Sequence, residues 1–394
     1  MERIHKRTAR LEKLPPYLFA KLNDLKLKMR QDGVDIIDFG MGNPNIPTPG
    51  HVVDKLTEVA RDPRSHRYSA SRGIMNLRKA ICRHYKRLYD VDLDWGTEAI
   101  ALLGSKEGLS HLMLALLDPG DSTLVTNPTF PVHIYSVVIA GGNVVAIPLT
   151  EKTGFVPAME DIVREIWPKP KLMVLSFPHN PTTACVDLDF WGEVVDFARR
   201  SNTLIVHDFA YAQLAFDGYV PPSILQVPGA KDIAVEFTTM SKVYSMAGWR
   251  VGFCVGNATV IEDLYSIKGY FDYGIFTPVQ VSAITALDGP QDCVRETVET
   301  YRRRRDVFVD GLVKIGWIVP RPKATMYLWC PIPERYRSMG SMEFSMKLLR
   351  EAEVVVSPGV AFGGLGDGYI RISLVENEHR INQAVRNIKR CLFS

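Results

Sequence analysis

Residues 171–183 read KLMVLSFPHNPTT, a run of apolar residues that ends in a loop containing proline and asparagine. A continuous apolar run of this length, without polar alternation, is typical of a β-strand buried on both faces. The chain then continues with helical spacing of apolar residues at 189–200 and a second short apolar run, TLIVH, at 203–207. This stretch therefore predicts a strand, a helix and a second strand parallel to the first.

The same alternation extends outward, from about residue 97 to residue 255. Further strands are predicted at 99–103, 122–126, 143–148 and 233–238, and further helices at 107–117 and 161–167. Strands and helices that alternate in this way favour an α/β fold, in which helices cover both faces of a mostly parallel sheet. In such sheets, ligand groups come from the loops at the carboxyl ends of the strands.

The last quarter of the chain has a different pattern. Residues 291–315 have the spacing of one long helix, which Gly316 is expected to end, and shorter strand and helix signals follow. The arginine cluster at 302–305 lies on that helix, and we expect it to form a solvated face. The sequence therefore predicts a large domain at 49–290 and a smaller α+β domain at 291–394, to which an N-terminal arm, 1–48, contributes.

The composition is that of an ordinary globular protein. Of 394 residues, 46% are hydrophobic and 23% are charged, which allows a sizeable core and argues against disorder. The formal net charge of +3 indicates neither a nucleic acid nor an anionic membrane as a partner. The N-terminal stretch has no apolar central region, and no segment approaches the roughly 20 apolar residues that a membrane span needs. We therefore expect a cytoplasmic protein.

The six cysteines are scattered singly, without a C-x-x-C pair or histidines at the spacing of a zinc site. In a chain of this length, such cysteines are typical of small buried apolar residues rather than of disulfides or ligands. No metal site is expected.

Five polar loop segments each follow a predicted strand. They are GSKEG at 104–108, NPTFP at 127–131, PHNPTT at 178–183, HDFAY at 207–211 and TMSK at 239–242. The last is followed by MAGWRVG at 246–252, and RIS at 371–373 lies far downstream. Their position after strands predicts that these segments contribute to one site at the carboxyl edge of the sheet.

Two of these segments suggest binding of an anion and attack on a carbonyl. Gly104 allows a sharp turn into a helix whose first N–H groups bind an anion, although an ordinary strand-to-helix turn is the commoner explanation of such a segment alone. Lys242 has apolar neighbours, which disfavour the charged amine and suit a lysine that attacks a carbonyl; a surface lysine is the alternative. Arg250 lies close enough along the chain to share a phosphate with Thr239 and Ser241.

Asp208 follows the apolar residues 204–206 and therefore needs a partner, because an unpaired buried charge is costly. Either it is a satisfied cap, or it is the counter-ion of a protonated heterocycle. Tyr211, three residues later, can reach the same ligand.

Taken together, the motifs P-x-N-P-T, D-x-A-Y, S-K, G-W-R-x-G and R-x-S resemble, in order and spacing, the class I/II aminotransferases among the fold-type I pyridoxal-phosphate enzymes. The resemblance covers essentially the whole chain. It is greatest to the bacterial glutamate–pyruvate (alanine) transaminases of the AlaC type, which have similar stretches at 14–17, 69–73, 104–109, 227–230 and 272–278. LL-diaminopimelate and aspartate aminotransferases resemble the chain less.

The resemblance implies an enzyme that uses pyridoxal 5'-phosphate to transfer an amino group between an L-amino acid and a 2-oxo acid by a ping-pong mechanism. The resemblance favours alanine and 2-oxoglutarate as the substrates, giving pyruvate and glutamate. Lys242 would bond to the cofactor aldehyde and then act as the catalytic base, while Asp208 would pair with the pyridinium nitrogen. Asn180 and Tyr211 would contact the ring hydroxyl, and Phe130 would stack on the ring.

The remaining contacts implied by the resemblance concern the phosphate and the substrate. The phosphate ligands would be Ser105, Lys106, Thr239, Ser241 and Arg250, together with Tyr68 from across a homodimer interface. Arg371 would bind the substrate α-carboxylate, helped by Asn180 and the backbone near Gly42. Tyr17 would fold over the site and limit the size of the substrate side chain.

Three positions depart from the pattern of the family. Phe130 stands where tyrosine is frequent, Asn43 where aspartate is common after glycine, and Thr183 where many relatives have glycine. None of them touches the cofactor chemistry, but the first two bear on which amino acid is accepted. Alternatives are therefore an LL-diaminopimelate, aspartate or other amino-acid transaminase, and a carbon–sulfur β-lyase or decarboxylase on the same fold. A cofactor-binding regulator without turnover is disfavoured, because no segment is left for a DNA-binding module.

Overall fold

The structure, a computed structural model, describes residues 6–15, 20–159, 162 and 169–393. Its α-helices are α1 (Ala9–Glu12), α2 (Ala20–Gln31), α3 (Gly50–Ala60), α4 (Met75–Tyr89), α5 (Ser105–Leu116), α6 (Pro131–Ala140), α7 (Leu188–Ser201), α8 (Ala258–Phe271), α9 (Thr277–Asp288), α10 (Asp292–Lys314), α11 (Gly340–Ala352) and α12 (Glu378–Leu392). Its strands are β1 (Ile37–Asp38), β2 (Ala99–Leu102), β3 (Ser122–Asn127), β4 (Asn143–Pro148), β5 (Pro170–Leu175), β6 (Leu204–Asp208), β7 (Ala234–Thr239), β8 (Gly252–Gly256), β9 (Tyr327–Pro331), β10 (Val354–Val355), β11 (Ser357–Pro358) and β12 (Tyr369–Ser373). Among these described helices, none has both the length and the apolar character to cross a membrane.

The central element of the described chain is a seven-stranded sheet in the order β2-β8-β7-β6-β5-β3-β4. Strand β8 is antiparallel to both of its neighbours, and the remaining neighbouring pairs are parallel. The predicted α/β fold with a mostly parallel sheet is therefore confirmed. Strand β5 ends two residues before the end of the strand predicted at 171–177, and the helix predicted at 161–167 lies almost wholly outside the described residues.

Both faces of this sheet are buried. Because successive side chains of a strand point in opposite directions, Ala99 and Ala101 of β2 pack into one core while Ile100 and Leu102 pack into another. Helices α3, α4, α7 and α9 contribute to the first core, and α5, α6 and α8 contribute to the second. This two-sided burial explains the continuous apolar run of an inner strand such as β5.

The C-terminal part forms a separate antiparallel sheet of β11, β12 and β9, with its own core against α10, α11 and α12. Strand β1 of the N-terminal arm pairs with β10, and Ile37 and Phe39 enter this core. So do Leu214 and Phe216, which the predicted boundaries assign to the large domain. The domain limits at 48 and 290 stay a prediction.

The arginine cluster on α10 is not a solvated face throughout. Arg304 and Arg305 are only 7% and 2% exposed. Arg305 forms a bidentate pair with Asp217, with N–O distances of 2.6 and 3.1 Å, and Arg304 donates to Asn45 Oδ1 at 2.8 Å. The expectation of a solvated face is wrong for these two residues, because this side of the helix packs on the core, where hydrogen-bond acceptors pair with both guanidinium groups.

Candidate active site

Lys242 lies in the loop that follows β7 and is half-buried. Its Nζ donates a hydrogen bond to the carbonyl oxygen of Gly42 at 3.0 Å and lies 5.9 Å from the centre of the Tyr211 ring. The amine is therefore held between the N-terminal loop and the segment that follows β6.

Asp208, at the end of β6, is 5% exposed and has one unsatisfied oxygen. Its Oδ2 lies 2.9 Å from Nε2 of His133, whose Nδ1 lies 2.8 Å from Oγ1 of Thr129. Its Oδ1 is buried and has no hydrogen-bond partner among the described residues. Because a buried carboxylate oxygen is costly to leave unpaired, the site is suited to a ligand that presents an N–H group or a positive charge at this point.

Sequence reasoning missed His133 and Thr129. Thr129 belongs to the NPTFP loop, and His133 lies two residues after that loop, in the first turn of α6. A second missed histidine, His179, is fully buried, with Nδ1 2.7 Å from Oγ1 of Thr182 and no partner for Nε2 among the described residues. Burial, and to a lesser extent the nearby His133, lowers the pKa of His179 to about 3, so its ring is neutral at physiological pH.

Arg371 lies in β12 and is 6% exposed. It donates to Asn180 Oδ1 at 2.8 Å, to the Gly40 carbonyl oxygen at 3.2 Å and to Ser357 Oγ at 3.4 Å. These acceptors are neutral, and its buried Nε has no partner among the described residues. Such a guanidinium can receive a carboxylate through a two-pronged hydrogen bond.

Two buried tyrosines lie between these charges. Tyr211 donates its hydroxyl proton to the hydroxyl oxygen of Tyr327 at 2.9 Å. Burial raises the pKa of Tyr211 well above its ordinary value. Burial acts in the same direction on Tyr327, but the positive charges of Lys242 and Arg371 outweigh it and lower the pKa of Tyr327. The sequence analysis did not single out Tyr327, because it stands within an ordinary apolar strand, YLWCP.

A cradle for an anion surrounds the first residues of α5. Gly104 has φ +87°, a conformation that favours glycine, and a Cβ atom there would lie 2.9 Å from Cζ of Arg250, so the guanidinium lies against this part of the backbone. A Cβ at Gly252 would lie 2.7 Å from the backbone nitrogen of Ser105, and Gly252 pairs in the sheet with Thr239. The Thr239 hydroxyl donates to Ser241 Oγ at 2.8 Å. The N-terminus of α5 thus lies close to the Arg250 guanidinium and to the segment 239–241 with its two hydroxyls, a set of donors that suits an anion.

The other predicted residues lie as follows. Phe130 precedes α6 and is half-buried, with its ring centre 5.9 Å from that of His133. Lys106 is exposed in the first turn of α5. Tyr68 is 86% exposed, and its ring packs against Tyr273 at 4.9 Å. Tyr17 lies outside the described residues.

The model of the family "Aminotransferase class I and II" matches residues 34–388. The chain belongs to this family. This aminotransferase is 56% identical to the glutamate-pyruvate aminotransferase AlaC of Escherichia coli over 387 residues, which cover 98% of this chain and 94% of that protein. It is 44% identical to an LL-diaminopimelate aminotransferase of Moorella thermoacetica over 383 residues, 97% of each chain. The substrate-bound structure of BacF from Bacillus subtilis superimposes with a TM-score of 0.94 over 98% of each chain, at 35% identity.

Aminotransferases of this class use pyridoxal 5'-phosphate, and the residues of this aminotransferase fit that cofactor. The unpaired Oδ1 of Asp208 suits a protonated ring nitrogen, and the cradle at Gly104 suits a phosphate. The predicted family, fold, enzyme class and cofactor are thereby confirmed. The role of each side chain stays a prediction.

Proposed function

We propose that this aminotransferase transfers the amino group of alanine to 2-oxoglutarate, giving pyruvate and glutamate, by a ping-pong mechanism. The substrate pair is supported by the 56% identity to a protein named glutamate-pyruvate aminotransferase. The 44% identity to an LL-diaminopimelate aminotransferase makes LL-diaminopimelate the second candidate substrate. The observation that supports a pyridoxal-phosphate reaction is the unpaired oxygen of buried Asp208, which the N–H group of a protonated ring nitrogen would satisfy.

When bound, the cofactor supplies an aldehyde carbon that takes up the amino group and a ring that accepts the electron pair of the α-carbon. Asp208 offers its free Oδ1 to the ring nitrogen, while His133 and Thr129 fix the orientation of the carboxylate. Nζ of Lys242 removes the α-proton of the donor amino acid, and in the second half-reaction it delivers a proton to the α-carbon of the acceptor. Positioned proton transfer of this kind contributes about 10²–10⁴-fold to a rate.

The other side chains bind and orient. Arg371 receives the α-carboxylate, and Asn180, which already accepts from Arg371, contacts the same part of the substrate. Tyr211 and Asn180 bind the ring hydroxyl, and Phe130 covers one face of the ring. The phosphate ligands are the backbone of Ser105 and Lys106 and the side chains of Thr239, Ser241 and Arg250.

A homodimer is the assembly we infer. Large aromatic side chains are exposed in one segment, with Tyr270 94%, Tyr273 65% and Phe271 58% accessible, and Tyr68 packs against Tyr273. Exposed aromatic patches of this kind mark protein–protein contact. In the dimer, Tyr68 of one protomer binds the phosphate of its partner.

Sedimentation should give twice the 44.3 kDa of one chain, and Tyr273→Asp should give a monomer; a wild-type monomer contradicts this assembly. The cytoplasmic location stays a prediction.

The first test of this function is covalent attachment. Purified protein incubated with pyridoxal phosphate should gain a visible chromophore, and borohydride should fix the cofactor to Lys242, as shown by peptide mapping. Lys242→Ala should keep its fold and lose turnover, whereas Lys171→Ala, which removes a half-exposed lysine paired with Asp121, should behave as the wild type. A protein that stays colourless, or an active Lys242→Ala variant without added amine, overturns the proposal.

The second test separates the substrates. Initial rates with alanine, LL-diaminopimelate and aspartate, each against pyruvate or 2-oxoglutarate, should be highest for alanine with 2-oxoglutarate. Release of ammonia and pyruvate from a sulfur-containing amino acid would indicate a β-lyase instead.

A further inference from the structure

Tyr327 contacts several residues of the proposed site, although no role has yet been assigned to it. The side chain is 3% exposed and stands at the start of β9, on the same sheet as Arg371 in β12. Its hydroxyl oxygen accepts the proton of Tyr211 at 2.9 Å. The Arg371 guanidinium carbon lies 4.1 Å from the centre of its ring.

The third contact of Tyr327 is with the N-terminal loop. A Cβ atom at Gly42 would lie 2.7 Å from Cε1 and 2.8 Å from Cζ of Tyr327, closer than side chains can pack. The phenol therefore lies directly on the backbone of Gly42, whose carbonyl oxygen accepts from Lys242. The side chain of Tyr327 thus contacts three parts of the site: the loop that binds the Lys242 amine, the Arg371 guanidinium and the Tyr211 phenol.

We propose that Tyr327 is a positioning residue, whose ring supports Arg371 and whose hydroxyl polarises Tyr211, so that the carboxylate-binding and ring-binding groups keep a fixed separation. This rests on the proposed function. A cation over an aromatic face is attracted to it and loses freedom of movement, which orients the guanidinium.

The hydroxyl acts through Tyr211. A phenol has a single proton, so once Tyr211 donates to the ring oxygen of the bound cofactor, its own oxygen becomes an acceptor for Tyr327. A hydroxyl that donates while it accepts is the stronger donor. Tyr327 thereby strengthens the hydrogen bond that stabilises negative charge on the ring oxygen.

The two parts of Tyr327 can be removed separately. In Tyr327→Phe the ring remains, so KM for the amino acid should stay unchanged. The negative charge on the ring oxygen loses stabilisation, so the pH at which the cofactor chromophore titrates should rise, by at most about 1 unit, which corresponds to the free energy of one hydrogen bond. In Tyr327→Leu the ring is lost as well, and KM for the preferred amino donor should rise about 2- to 30-fold. Thermal unfolding identifies a variant that has lost its fold.

Tyr369→Phe is the matched control. Tyr369 lies in β12 of the same sheet, and its hydroxyl donates to Glu151 at 3.1 Å instead of entering the site. It should reproduce the wild-type titration and KM. A Tyr327→Phe titration that superimposes on the wild type, or an equal shift in Tyr369→Phe, overturns the inference while the proposed function stands. A wild-type protein that gains no chromophore overturns both.

Discussion

Replacement of Gly42 by alanine tests how closely the N-terminal loop must approach the site. A Cβ there would lie 2.7 and 2.8 Å from two ring carbons of Tyr327, with the hydroxyl oxygen nearer still, whereas ordinary contact begins at 3.4 Å. The loop or the tyrosine must therefore move by about 1 Å. The φ of Gly42 lies outside the left-handed region, so backbone conformation adds no strain.

Either movement separates groups that the site holds together. If the loop moves, its carbonyl leaves Nζ of Lys242, and if the ring moves, Tyr211 and Arg371 lose a contact. A misplacement of about 1 Å in a catalytic site costs about 10²-fold, and we expect that loss in kcat/KM for the amino donor.

The assay is steady-state kinetics on cofactor-saturated protein, with thermal unfolding measured in parallel. Gly192→Ala is the control, because Gly192 lies within α7 and a Cβ there meets nothing within 4 Å. That variant should keep full activity and gain about 0.5–1 kcal/mol of stability. A Gly42→Ala enzyme with wild-type kcat/KM would show that the close approach of Tyr327 to the loop does not matter.

Three further outcomes are expected. Asp208→Asn keeps the size of the side chain but removes the charge, so kcat should fall about 10²–10³-fold with an unchanged circular dichroism spectrum; full activity would exclude the role of Asp208. Arg371→Lys keeps the charge but loses the two-pronged geometry, so KM for the amino acid should rise about 10- to 100-fold while cofactor affinity stays constant; an unchanged KM argues against carboxylate binding there. Burial lowers the pKa of both His84 and His179 to about 3 from 6.5. Between these two pH values the unfolded chain binds more protons than the native one, so the free energy of unfolding should fall on acidification from pH 6.5 towards 3. In urea unfolding, His84→Gln should reduce the slope of this free energy against pH by about 1.4 kcal/mol per pH unit. An equal slope contradicts a neutral His84.

Six of the seven strands of the large sheet are predicted from the sequence, because apolar residues dominate these segments, whereas β8 is not predicted. Predicted limits differ from β3, β6 and β7 by a single residue at most. The sequence also indicates Asp208 and Lys242, because both lie at the carboxyl ends of predicted strands, where ligand groups collect in parallel sheets.

The supporting residues could not be found in this way. His133 and Tyr327 meet Asp208 and Tyr211 only through the fold, over separations of 75 and 116 residues along the chain. Each stands in a segment whose local pattern is that of an ordinary helix or strand. The burial of Arg304 and Arg305 could not be predicted for the same reason, since Asn45 and Asp217, which accept from them, lie in distant segments.

The loop at residues 40–42 reaches the two cationic groups through main-chain oxygens. Gly40 accepts from Arg371 and Gly42 accepts from Lys242, while Met41 between them is 68% exposed. A carbonyl is common to every amino acid, so substitution at position 41 leaves both interactions available. The exposed side chain of this loop and the two hydrogen bonds made by its backbone can therefore change independently of each other.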